Sequence, residues 1–174
     1  MLADKCTYMI LVLVVLLGGT GNMAWADSVS DLAQGNDAFN RGDLTTAMTW
    51  YRQAAEAGSV EAQIRLAYIL DLAEENAEAY KWYRAAAESG NAAAQEGLAG
   101  MYAKGEGTEQ DFAAAVRWFT RAARQGHTSA ISILAAAYQE GTLGLAVDPD
   151  RAAYWQEALI EARRKAESPG GEEG

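Results

Sequence analysis

A tryptophan recurs at positions 50, 82, 118 and 155, at spacings of 32, 36 and 37 residues. Three residues before each stands an alanine: Ala47, Ala79, Ala115 and Ala152. Four residues before each alanine stands an acid: Asp43, Glu75, Asp111 and Asp148. Eight residues after the first three tryptophans comes a glycine: Gly58, Gly90 and Gly126. Columns repeating at this period describe a stack of similar units, each too small to bury its apolar face alone.

The columns read as helices. The acid sits where a side-chain oxygen can cap a helix start and meet the positive end of its dipole. The alanine, the aromatic four residues on (Tyr51, Tyr83, Phe119) and a further alanine (Ala54, Ala86, Ala122) form one apolar stripe. The glycine stops the helix. The next helix then carries Leu66-Ala67, Leu98-Ala99 or Leu134-Ala135, whose small residues allow close approach. Abundant alanine and only 2 prolines agree with this helical reading. The expected fold is all-α: a right-handed α-solenoid of about four helix-turn-helix repeats.

The segments Gly90 to Tyr102, Gly105 to Gly107 and Asp111 to Gly126 resemble Sel1-like repeats, and the unit from Thr128, with Gly141 and Gly144 in its loop, is similar. The interval between the two small-residue columns is 16 from Ala99 to Ala115 and 17 from Ala135 to Ala152. It is only 12 from Gly35 to Ala47 and from Ala67 to Ala79, so the first two units resemble tetratricopeptide repeats, with short turns at Arg41-Gly42 and Asp71 to Glu74. Unit boundaries are expected near 28–58, 59–90, 91–126 and 127–166. At the two ends, polar Gln34 and Gln156 replace apolar residues of the inner units, as suits repeats lacking a neighbour.

Residues 1–26 read as a secretory signal: Lys5, an apolar run from Tyr8 to Leu17, then Ala24-Trp25-Ala26 before Asp27. The apolar run is shorter than the ~20 residues that a spanning helix needs. The expected location is periplasmic or secreted, with membrane contact only through the signal. Residues 167–174 read as a polar, disordered tail. Cleavage after Ala26 removes Cys6, the sequence's 1 cysteine, so thiol catalysis and thiolate metal sites are not expected. A net charge of −10 argues against nucleic acid as a partner.

Catalytic patterns are not legible. The 1 histidine, His127, falls after a helix-ending glycine and reads as an exposed turn residue. Gly105-Glu106-Gly107-Thr108 has neither the strand nor the Gly-Lys-Ser/Thr of a phosphate loop. Asp148-Pro149-Asp150 fits a helix cap and lacks the alternating ligands of a calcium loop. No catalytic residue, cofactor or metal ligand is assigned. The recurring tryptophans read as packing residues.

In a stack of helix pairs the first helices line a concave groove. Placed in tetratricopeptide register, that surface carries Asn36 and Asn40, then Arg65, Tyr68 and Asp71, then Glu96, Gly100 and Lys104, then Ser132, Ala136 and Gln139. Tyr68 is the expected anchor, because aromatic residues carry much interface energy. Of the residues with which some tetratricopeptide proteins clamp a carboxylate, only Asn36 matches; Leu32 stands where a lysine is expected. The resemblance implies a non-enzymatic adaptor or regulator of the bacterial cell envelope, binding a protein or peptide in this groove. Two alternatives stay open: a cell-wall enzyme like the β-lactamase-related Sel1 proteins, and a self-assembling envelope scaffold.

Overall fold

The computed structural model describes residues 27–167, which hold eight helices and no strand. Helix α1 covers 27–40 and is followed by α2 (Leu44–Glu56), α3 (Val60–Leu72), α4 (Asn76–Glu88), α5 (Ala92–Lys104), α6 (Phe112–Arg124), α7 (Thr128–Glu140) and α8 (Pro149–Glu167). The signal and all but the first residue of the expected tail lie outside the described residues. That first residue, Glu167, closes α8, one position beyond the expected boundary at 166. The chain divides into two compact units, one ending at Gln63 and the other beginning at Ile64.

In the first unit the Tyr51 ring lies directly on Gly35, where an added Cβ would sit 2.5 Å from it. This is why the small-residue column holds glycine there. The Tyr51 hydroxyl donates to Asn36 Oδ1 at 2.9 Å, so the one polar atom of a fully buried ring has a partner. The Gln63 amide donates to the carbonyl of Ala55 at 3.2 Å, a second donor on an oxygen that already accepts from the Gly58 N–H at 3.0 Å where α2 ends.

In the second unit α4, α5, α6, α7 and α8 pack in sequence, each on the next. The stripes expected from sequence are buried: Ala79, Tyr83 and Ala86 on α4, and Ala115, Phe119 and Ala122 on α6. On the first helices Leu66-Ala67, Leu98-Ala99 and Leu134-Ala135 are all buried as well. Gln95 repeats the role of Gln63, donating to Ala87 O at 3.3 Å, and its own oxygen accepts from Gln125 Nε2 at 2.8 Å. Gln34 and Gln156 are exposed, as expected of the end positions.

Three of the four acids cap as the sequence suggests. Asp43, Asp111 and Asp148 accept from the backbone N–H three residues on, at 3.1, 2.8 and 3.0 Å. Glu75 stands at the same position without a side-chain bond. It carries one methylene too many to fold back onto its own helix start.

One backbone bond recurs in all four repeats. The N–H of the capping acid donates to a fixed carbonyl near the end of the preceding helix: Asp43 to Ala38 O, Glu75 to Leu70 O, Asp111 to Tyr102 O and Asp148 to Tyr138 O, at 2.8 to 3.0 Å. Short turns and long loops thus enter the second helix from one anchor. The extra residues of the two long loops are excursions from that anchor, and each carries a glycine that reaches a neighbouring helix start. A Cβ on Gly107 would lie 2.1 Å from Asn76 O, and one on Gly144 would lie 3.4 Å from Phe112 Cβ. Asn76 and Phe112 both open second helices, α4 and α6.

Candidate functional site

The largest exposed apolar feature among the predicted groove residues is on α3. Tyr68 is 50% exposed, and Leu72, one helical turn further along the same face, is 67% exposed. Arg65 and Asp71 flank them, both half-buried. Leu72 was missed by the register argument, which stepped from Tyr68 to Asp71. The available signal was a large apolar residue at the last position of a helix, where nothing follows to cover it.

Beneath this face lies Tyr83 of α4. Burial above all, then the charges of Asp71, Tyr68 and Glu96, hold its phenol protonated far above the usual tyrosine range. Tyr68, Asp71 and Glu96, expected together from sequence, are therefore close enough to act on one hydroxyl. Asp71 is itself shifted upward, first by burial and then by the Glu106 carboxylate, with Lys104 opposing. Lys104 Nζ in turn meets Glu106 Oε2 at 3.1 Å on the surface. Glu106, from the α5–α6 loop, is a member of this cluster that the sequence did not offer.

Glu96 also has a structural task. Its carboxylate accepts from Ser129 Oγ at 2.6 Å and lies 3.2 Å from His127 Nδ1. His127, expected as an exposed turn residue, is half-buried at the N-cap of α7 against Glu96. The chain turns there, but the glutamate of the preceding repeat covers the ring.

Gly100 faces open space: an added Cβ would meet nothing within 4 Å. On α7, Ser132 and Gln139 are exposed, and Gln139 Oε1 accepts weakly from Gln156 Nε2 at 3.4 Å. Asn36 and Asn40 belong to the other unit, where Asn36 is engaged by Tyr51 and Asn40 is exposed at the end of α1. The arrangement offers an apolar pair on α3 bordered by mixed charges, which suits protein recognition. Among the described residues, no group of three or more His, Cys, Asp or Glu is placed to hold a metal ion. No helix among them is long and apolar enough to cross a membrane.

Comparison with known proteins places this architecture. The Sel1 repeat model matches residues 34–59, 60–91, 92–127 and 128–157. The chain belongs to the Sel1 repeat family, an all-α fold of the solenoid class whose members generally mediate protein–protein interaction and are typically non-catalytic scaffolds. The two short-turn repeats, which resemble tetratricopeptide units, match the same model as the two with long loops. Their common anchor for the second helix agrees with that.

A Sel1 repeat protein from Oxalobacter formigenes has a similar structure, with a TM-score of 0.68 and 29% identity over 78% of this chain and 58% of that one. A protective antigen present in uropathogenic Escherichia coli strains, displaying an SLR fold, is 26% identical over 77% of this chain and 38% of that one, with a TM-score of 0.48. The chain thus spans less than two thirds of the length of either protein. No curated protein matches the sequence.

Proposed function

We propose that this protein is a non-enzymatic adaptor or regulator of the bacterial cell envelope, exported by its N-terminal segment, that holds a segment of a partner protein on the first-helix face around Tyr68. The observation that carries the reading is the exposed Tyr68–Leu72 pair, set over the buried Tyr83 and bordered by Arg65, Asp71 and the Lys104–Glu106 pair. An apolar anchor within a polar rim is how protein interfaces concentrate their binding energy. Export rests on the n-region, apolar run and Ala24-Trp25-Ala26 pattern.

Two experiments test the two halves. Fractionation with mass measurement should find the protein in the periplasm or medium, beginning at Asp27; an uncleaved cytoplasmic chain overturns the envelope assignment. Crosslinking and pull-down from the envelope should recover a partner that Tyr68→Ala and Leu72→Ala each lose, by about ten-fold or more for an anchor worth 1.4 kcal/mol. If both variants recover the same proteins in unchanged yield, the face is not the binding site.

A further inference from the structure

The tryptophan column is not uniform. On α6 the Arg121 guanidinium lies over the Trp118 ring, its carbon 4.4 Å from the centroid. The equivalent of Arg121 on α4, three residues after Trp82, is Ala85. Where α6 supplies its own cation, α4 has an open cleft of about 790 Å³, lined by Trp82, Ala85, Glu74, Glu75, Glu78 and Lys81 among others. The Trp82 indole N–H donates to Glu78 Oε1 at 3.2 Å, which fixes the ring and keeps a carboxylate beside it. Glu74, Glu75 and Glu78 make the lining rich in carboxylates, with Lys81 its one ammonium, within a chain of net charge −10.

A guanidinium is the group these features suit. It is planar and weakly hydrated, stacks on aromatic faces, and pairs with carboxylates through a fork of donors. The third repeat already shows the pairing, with the chain's own arginine on the equivalent ring. We propose that the Trp82 cleft binds an arginine side chain of a partner protein, which completes in the second repeat what Arg121 completes in the third. This site is separate from the Tyr68 face: it lies on second helix α4 and the turn before it, and selects charge where the Tyr68 face selects apolar surface. The overall negative charge draws a basic segment toward it.

The test is titration of the ¹⁵N-labelled full chain with the peptide acetyl-Gly-Gly-Arg-Gly-Gly-amide, following the indole N–H signal of Trp82 as identified by Trp82→Phe. The expected result is a saturable shift below about 10 mM peptide, with the Trp118 signal unmoved. The same peptide with citrulline, isosteric but uncharged, should bind at least about ten-fold more weakly. Ala85→Arg, which supplies the cation from within as on α6, should abolish the response, and Glu78→Gln should weaken it. The proposal is overturned by equal shifts from the arginine and citrulline peptides, by no shift, or by an undiminished response in Ala85→Arg. A Trp82 signal that moves with protein concentration alone would also overturn it, assigning the cleft to a second copy of this chain.

Discussion

The α3–α4 turn and the α5–α6 loop do the same job with different amounts of chain. Each hands the backbone from a first helix to a second one, and each closes with the acid N–H on the same carbonyl, Leu70 O or Tyr102 O. The turn does this with Glu74 in a left-handed conformation, φ 60°, where the first repeat has Gly42 at φ 78°. The loop instead leaves through Gly105 and sends Gly107 against Asn76 before returning. The short connection leaves Tyr68 and Leu72 uncovered above it, whereas the long one provides Glu106 to the cluster and Gly107 to the wall of the Trp82 cleft. Added loop length in this fold therefore builds contacts to the preceding repeat without shifting the helix that follows.

The largest expected effect comes from breaking the loop's contact. Gly107→Ala puts a Cβ 2.1 Å from a backbone carbonyl, at φ 68°. Left-handed strain and overpacking together should cost about 3 kcal/mol, lowering the midpoint on the order of 10 °C in a thermal melt followed by circular dichroism. An unchanged midpoint would show that the loop does not dock.

A sharper contrast lies within α5. Gly97→Ala drives a Cβ to 2.6 Å from the buried Tyr83 ring, and should destabilise by about 2 kcal/mol even after the gain in helix propensity. Gly100→Ala meets nothing within 4 Å and should stabilise by about 0.5–1 kcal/mol. Urea unfolding of both variants checks the sign, and two changes of the same sign would refute this account of the helix. Next in size are the caps. Asp111→Ala should cost about 1 kcal/mol, while Glu75→Ala should cost a few tenths at most, because only the aspartate bonds the helix start.

The smallest effect is electrostatic. Asp71 has its carboxyl pKa raised by burial and by Glu106. The native state then holds that proton more tightly than the unfolded chain does. The native state is favoured below the unfolded pKa, and loses that advantage as pH rises through the raised value. Asp71→Asn should therefore raise the melting midpoint slightly at pH 7 and leave it unchanged at pH 3. A larger gain at pH 3 would reverse the sign of this argument.

The helix pairs, their stripes and three of the four caps were legible because each depends on residues close in sequence and recurring at a fixed period. Part of the candidate site was legible for the same reason: first-helix register places Tyr68, Asp71, Glu96 and Lys104 on one surface. What register could not give was Leu72, exposed because the helix ends there, and Glu106, brought in by a loop. Nor could it show that Glu96 is partly spent on Ser129 and His127, or that Asn36 serves Tyr51.

By itself, then, the sequence determined the repeat, the helical class and the residues that each repeat must bury, since these follow from backbone period and the burial of apolar stripes. Tertiary structure decided what stands beside each tryptophan: Arg121 lies over the Trp118 ring, and a cleft opens beside Trp82. Trp82 and Trp118 share the acid, alanine and glycine columns, and differ three residues on, where Ala85 stands in place of Arg121. Whether a cation lies over the ring or a cleft opens beside it depends on the side chain one turn away and on the neighbouring turn and loop. The side chain is written in the sequence, but the turn and the loop are three-dimensional neighbours, and no period in the chain specifies where they come to lie.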